Sequence, residues 1–189
     1  MFFEIAKRSD IYAKLRDDVA FLGGRTPTYE ELMNLKYVKW CLNECKLSLF
    51  SLRVNPVVPG NSRLAIRNTV LPLGGGSDGQ QPLFVPKGTV LGYYSYTTHR
   101  RKDLYGPDAD DYKPERWETL RPGWEYLPFN GGPRICLGQQ YALTEASYVT
   151  VRLVQEFAKM QSRDPGPWEE GLTLTCYSLN GTKVGLTPV

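Results

Sequence analysis

The stretch Phe129-Asn130-Gly131-Gly132-Pro133-Arg134-Ile135-Cys136-Leu137-Gly138 constrains this chain more than any other: a Gly/Pro-rich loop ends on one cysteine and runs straight into a helical pattern. Leu137 to about Phe157 reads as that helix, which predicts the Cys136 sulfur at a helix N-terminus. There the macrodipole and the free N–H groups of the first turn favour thiolate over thiol. Gly132 and Gly138 are expected where the backbone approaches a surface too closely for a Cβ. Arg134 brings permanent charge and forked donors, suited to a carboxylate partner. Phe129 is expected to shield the sulfur from water. A lone cysteine in such a loop is most often a buried, inert thiol. The full spacing Phe-x-x-Gly-x-Arg-x-Cys-x-Gly, followed by Ala142 and Glu145 on the helix, points instead to a metal ligand.

Composition excludes several alternatives. The 189 residues suffice for one ordinary domain with a real core, and 41% hydrophobic with 23% charged residues is usual for a globular chain. A net charge of +3 is too small and too dispersed to imply nucleic acid. The four cysteines (Cys41, Cys45, Cys136, Cys176) lack a disulfide-framework spacing, and a thiolate ligand requires a reducing compartment. Cys41 and Cys45, at i, i+4 on an expected helix, read as core thiols rather than a metal pair. His99, the single histidine, rules out multi-histidine metal sites and argues against Ser-His-Asp chemistry. No apolar run reaches the roughly 20 residues that span a bilayer.

Along the chain, Ser9 is expected to cap a helix through about Phe21, stopped by Gly23-Gly24. Thr28 and Glu31 form a capping-box pattern, and a longer helix is predicted from about Lys36 past Glu44. Strands are expected over Leu64–Val70, Leu83–Val85 and Val90–Tyr94. Gly74-Gly75-Gly76 lacks the Lys-Ser/Thr of a phosphate loop and reads as a hairpin turn. Tyr105 to Tyr126 has little periodicity. Asp164 to Pro167 are expected to end the last helix, and Leu172–Tyr177 to pair with Val184–Leu186 across Asn180-Gly181. No repeat or interdomain linker is evident.

The cysteine loop resembles that of the cytochrome P-450 heme-thiolate monooxygenases, and a second block supports the likeness. Tyr112-Lys113-Pro114-Glu115-Arg116-Trp117 is similar to the family's Pro-Glu-Arg-Phe element, with Trp in place of Phe. Arg121–Pro128, Leu71–Gly79 and Gln139–Ser147 resemble the fungal alkane and fatty-acid hydroxylase branch. The resemblance covers the chain from about Phe2 to Val189 and implies one partial domain, residues 1–189, of the C-terminal, heme-proximal part of the fold. That part is mainly α with a smaller β-sheet (α+β). It also implies heme (iron protoporphyrin IX) with Cys136 as axial ligand and metal-binding residue. Phe129, Gly132, Arg134 and Gly138 would line the cofactor, with Arg134 on a propionate. Arg63 is either a second propionate partner or a solvated strand-edge charge. Val57–Asn61 and Tyr177–Asn180 correspond to segments that line the substrate pocket. The implied reaction inserts one oxygen atom of O₂ into a C–H bond of a long-chain alkane or fatty acid, with electrons from NADPH through a flavoprotein reductase. The Arg100-Arg101-Lys102 run could favour an acidic reductase or simply form a solvated face. The implied place is the cytosolic face of the endoplasmic reticulum membrane, held by an N-terminal anchor upstream of this chain.

Two departures stand against that likeness. The family pairs a Glu-x-x-Arg on one helix with the arginine of the Pro-Glu-Arg block. Here Glu44 and Arg53 are nine apart, separated as if Lys46–Ser51 had been inserted. On one continuous helix that places them about 180° and about 13.5 Å apart. They can join Arg116 in a triad only if those six residues loop out; a splice or gene-assembly error would also explain them. The long distal helix, with the acid/alcohol pair that delivers protons to bound oxygen, is expected to end near Met1–Ile5, its catalytic stretch lying upstream. The competing expectation is therefore a catalytically incompetent fragment, or a wrongly assembled gene product, that at most binds heme. A heme-thiolate isomerase or dehydratase, needing neither O₂ nor reductase, is a third.

Overall fold

The structure, a computed structural model, describes residues 1–44 and 52–189. Cys45 and Lys46–Ser51, with the expected continuation of the helix past Glu44, lie outside the described residues. The chain divides into two compact units, Met1–Pro59 with Ser95–Val189, and Gly60–Tyr94.

The larger unit opens with helices α1 (Phe2–Lys7), α2 (Ser9–Val19), α3 (Tyr29–Asn34) and α4 (Lys36–Glu44). Ile11, Leu15 and Val19 of α2 repeat every fourth residue and are buried together, the stripe an amphipathic helix presents to a core. Ser9 is the first residue of α2 and not its cap. Only Arg8 separates α1 from α2, so Arg8 takes the cap position, its carbonyl accepting the Tyr12 N–H at 3.1 Å. The predicted capping box is present: the Glu31 N–H donates to Thr28 Oγ1 at 3.3 Å, and the Thr28 N–H donates to Glu31 Oε2 at 2.8 Å. The α4 N-terminus is satisfied from a distance, Asp18 Oδ2 accepting the N–H groups of Tyr37 and Val38 at 2.9 and 3.0 Å.

The smaller unit is a hairpin nested in a ladder. Strand β1 (Asn61–Leu64) is followed by β2 (Thr69–Gly75), β3 (Gln81–Val85) and β4 (Val90–Tyr93); β2 pairs antiparallel with β3 and β1 with β4. The glycine run closes the inner hairpin as expected, the Gly74 N–H donating to Gly79 O at 2.9 Å. The single strand expected over Leu64–Val70 is instead two. Its middle leaves the ladder where Asn68 Oδ1 accepts the Lys87 N–H at 2.8 Å, so β1 and β2 join different partners.

Back in the larger unit come α5 (Ser95–Thr98), α6 (Lys102–Tyr105), α7 (Gln139–Glu156) and strands β5 (Phe157–Ser162), β6 (Glu170–Leu172), β7 (Cys176–Ser178) and β8 (Val184–Pro188). Helix α7 packs Val151 and Val154 into the core formed by Ile5, Ile11, Leu15, Val38 and Cys41. It ends at Glu156, as the reading of a helix to about Phe157 expects, and not at Asp164–Pro167. Arg16 binds the carbonyls of Val154 and Phe157 at 3.0 and 2.8 Å, a cation on the carbonyl end of the helix, and the chain turns directly into β5. The expected pairing of Leu172–Tyr177 with Val184–Leu186 is also replaced. β8 pairs with β5, and β6 with β7 through a turn at Thr173–Thr175, so Asn180-Gly181 is not a hairpin turn. Asn180 is taken up by Glu169, which accepts its Nδ2–H at 2.7 Å. The architecture is mixed α+β, its strands in four two-stranded antiparallel ladders among the described residues. No described helix is long and apolar enough to cross a membrane.

Candidate functional site

The cysteine loop lies on the surface ahead of α7. Its shape is set by a short 3₁₀ turn, Gly132–Arg134, and by the Cys136 N–H donating to the Phe129 carbonyl at 2.9 Å. Cys136 is exposed and is a free thiol. Its carbonyl accepts the Gln139 N–H at 3.4 Å, and Gly138 caps α7, so the cysteine stands at the N-terminus of an eighteen-residue helix. Leu137 is fully exposed and Ile135 is 48% exposed, an apolar rim beside the thiol. Arg134 is exposed, and its guanidinium makes no hydrogen bond or ion pair among the described residues. Phe129 is half-buried.

The two glycines singled out in sequence differ in role. Gly132 holds φ +70, a backbone conformation that disfavours any side chain. At Gly138 an added Cβ would lie 3.8 Å from Cys136 Sγ, an ordinary contact, so no protein atom requires glycine there. The crowded position is Gly131, whose Cβ would meet Trp124 at 2.7 Å and Leu127 at 3.0 Å. The sequence offered no means of choosing it over its neighbour.

Beneath the loop lies a buried charge cluster. Arg53 Nε and Nη2 donate to Glu44 Oε2 and Oε1 at 2.8 and 2.7 Å, and both side chains are fully buried. The remaining Arg53 donors reach the carbonyls of His99 at 2.8 Å, Ala109 at 2.6 Å and Asp111 at 3.2 Å. Arg116 Nε and the Lys113 N–H each donate to Glu44 Oε1 at 3.2 Å. The triad therefore forms. Arg53 does so from a bend, not from α4, and the path through Lys46–Ser51 lies outside the described residues. Trp117, the substitution within the second block, has its own reason: its Nε1–H donates to Glu44 Oε2 at 2.9 Å, a bond phenylalanine cannot make. Arg116 also binds Asp108 at 2.7 Å, and with Lys113 it holds that carboxyl down at about 2.

In the sequence His99 serves only to exclude other chemistries, yet it joins this cluster to the loop. It is fully buried, with Nδ1 3.1 Å from the Arg53 carbonyl and Nε2 accepting the Leu127 N–H at 2.9 Å. Burial, with the Arg53 charge alongside, lowers its pKa to about 4. Its signal in the sequence is only that it is a polar residue beside Arg100 in an otherwise charged turn.

Other expectations resolve individually. Arg63 lies in β1 within the smaller unit, half-exposed, stacked on Tyr93 with its Cζ 5.4 Å from the ring centroid and bonded to Ser62 O. The Val57 carbonyl accepts the Cys176 N–H at 2.8 Å, setting the start of Val57–Asn61 beside the residue that precedes Tyr177–Asn180. Val57, Thr175, Cys176, Tyr177, Ser178 and Thr182 border a cleft of about 370 Å³. The Arg100-Arg101-Lys102 run is less available than its composition suggests. Arg100 is tied to the Val54 carbonyl at 3.0 Å and to Asn55 Oδ1 at 2.5 Å, and Arg101 pairs with Asp103.

Comparison with known proteins bears on the family. The sequence pattern of the family described as Cytochrome P450 matches residues 1–178. The chain is 54% identical over 184 residues to cytochrome P450 monooxygenase FPY7 of Fusarium mangiferae, covering 97% of this chain and 34% of that protein. It is 45% identical over 196 residues to cytochrome P450 52A13 of Debaryomyces hansenii, covering 98% and 37%. With cytochrome P450 52A5 of Candida maltosa it shares 47% identity over 197 residues, covering 97% and 36%. The chain thus spans about a third of the length of the curated relatives it matches. On the matched pattern, the cysteine loop and the buried triad together, the chain belongs to the cytochrome P450 family.

Proposed function

We propose that this chain carries the cofactor-binding loop of a heme-thiolate monooxygenase, with Cys136 the thiolate ligand of the heme iron. The family is one of heme proteins. The observation that carries the reading is an exposed free thiol at the N-terminus of α7, two residues after an arginine that has no partner among the described residues. The donor chemistry fits a heme. Cys136 supplies a soft anionic ligand, and the helix terminus favours its charge. Arg134 is free to bind a propionate, and Ile135 and Leu137 offer apolar surface to the macrocycle. Gly132 permits the turn that presents the cysteine, and Phe129 would help to shield the exposed sulfur once heme covers the loop. Thiolate-bound heme supplies the electron density that favours O–O cleavage, hence insertion of one oxygen atom into a C–H bond while the other leaves as water.

The substrate class we infer is a long-chain alkane or fatty acid. Its support is the resemblance of Arg121–Pro128, Leu71–Gly79 and Gln139–Ser147 to the fungal alkane and fatty-acid hydroxylase branch, with the cleft bordered by Val57 and Tyr177. Electrons would come from an NADPH-dependent flavoprotein reductase. The longer protein would sit on the cytosolic face of the endoplasmic reticulum membrane.

The test is direct. The chain is expressed, reconstituted with heme, reduced and exposed to carbon monoxide, and the difference spectrum is recorded. A strongly red-shifted Soret band, lost in Cys136→Ala, is expected. No stable heme, or a spectrum indifferent to Cys136→Ala, would leave this polypeptide without a heme role of its own.

A further inference from the structure

We infer that His99 is a positioning residue of the Cys136 loop, fixing the loop's register against the buried Glu44–Arg53 pair. The functional sense of this rests on Cys136 being the heme ligand; the structural claim stands on the hydrogen bonds. Two groups lock each other. The Arg53 guanidinium holds the His99 carbonyl at 2.8 Å, while His99 Nδ1 lies 3.1 Å from the Arg53 carbonyl. Since that carbonyl can only accept, Nδ1 carries the proton and Nε2 is left as an acceptor. Nε2 takes the N–H of Leu127 at 2.9 Å. From Leu127 the connection continues along the backbone: its carbonyl accepts the Asn130 N–H at 3.2 Å, and Phe129, between them, accepts the Cys136 N–H. One imidazole therefore spans from a fully buried ion pair to the base of an exposed loop.

The surroundings keep the ring in that role. Tyr126 packs beside it with ring centroids 5.2 Å apart, and Tyr105 meets it edge-on at 6.5 Å. Ser95 Oγ gives Leu127 a weaker second tether at 3.3 Å, through the carbonyl and not the N–H. Loss of the imidazole acceptor thus frees the one Leu127 group that nothing else holds among the described residues.

Amide hydrogen exchange on the whole chain, without heme, tests the structural claim. The amides of Leu127, Asn130 and Cys136 are compared with those inside α2 and α7. His99→Gln keeps an acceptor near the Nε2 position, whereas His99→Asn reaches only the Nδ1 position. In His99→Asn, exchange at the three loop amides is expected to quicken roughly tenfold, about the protection one hydrogen bond confers, with α2 and α7 unchanged. His99→Gln should restore it. Equal acceleration throughout both variants would make His99 a core residue and overturn the proposal. So would a response confined to Leu127, or a failure of Gln to rescue.

The carbon monoxide spectrum of the heme-loaded chain separates this from the ligand assignment. If the unmodified chain lacks the thiolate band, the ligand assignment fails while the exchange result still decides the role of His99. If the band is present, a shift toward neutral-thiol ligation in His99→Asn, rescued in His99→Gln, is expected. An unaltered band in His99→Asn would overturn positioning of the ligand.

Discussion

Arg53 and Glu44 meet through two parallel hydrogen bonds, of 2.8 and 2.7 Å, although nine positions separate them and only Glu44 belongs to α4. What the pair needs is the fork geometry and the satisfied surroundings, and both are available to an arginine arriving from a bend. Every other face of the Glu44 carboxylate is also occupied, by Arg116, the Lys113 N–H and Trp117. A buried ion pair so completely bonded escapes the usual penalty of an unmatched buried charge.

Removing one partner should reinstate that penalty. Arg53→Met is expected to lower stability by about 3–5 kcal/mol, measured by urea unfolding, because Glu44 loses its two-pronged buried partner and keeps only the longer contact with Arg116. Glu44→Gln should cost a comparable amount. A loss below about 1 kcal/mol in both would mean that the pair is not a structural support.

Trp117→Phe removes one charge-assisted donor from Glu44 and preserves most of the aromatic packing against Tyr126, whose ring centroid is 4.8 Å away. The expected cost is about 1.5–3 kcal/mol. Adding Glu44→Gln should make the two effects less than additive, since they share an atom.

His99 should give the folded state a dependence on acid. Neutral when folded with a pKa of about 4 but protonating at its ordinary 6.5 when unfolded, it makes the unfolded state bind more protons between those values. Stability is therefore unaffected by this group above 6.5, falls as pH drops from 6.5 to about 4, and levels off below. The total is about 3 kcal/mol. The difference between the unmodified chain and His99→Gln in unfolding midpoint against pH isolates it, and parallel curves would exclude it.

Gly132→Ala places a side chain at φ +70 and should cost about 1–2 kcal/mol, read from thermal unfolding. Gly138→Ala, at φ −82 and in open contact, should cost far less in the chain without heme. Equal effects would mean that the turn relaxes to another conformation.

Local chemistry made much of this readable in advance. Thr28 and Glu31 lie three apart, and the bonds of their capping box close within that span; the Gly74–Gly76 turn closes its own hairpin. Both need only neighbours in sequence. Phe157–Ser162 could not be read the same way. Its Ala, Lys, Met and Gln favour a helix, and only the distant β8 makes it a strand. The same holds at the site. Cys136 and Arg134 announce themselves by spacing, but Gly131 is crowded by Trp124 folding back, and His99 gains its role from Arg53 and Leu127, both remote in sequence. Arg100 shows the converse: the Val54 carbonyl, Asn55 and Asp110, invisible in a run of basic letters, occupy its donors.

The ladder of β1 and β4 places Asn61 opposite Tyr93, so the excursion Gly60–Tyr94 ends where it began. The chain on either side is likewise joined, the Tyr96 N–H donating to the Pro59 carbonyl at 3.1 Å. Such a closed cassette insulates its host from genetic change. Insertions and deletions between Thr69 and Val85 alter the length of the inner hairpin without shifting the register of Val57 or His99. A change of length there is absorbed inside the hairpin, while the backbone at Pro59 and Tyr96 stays joined.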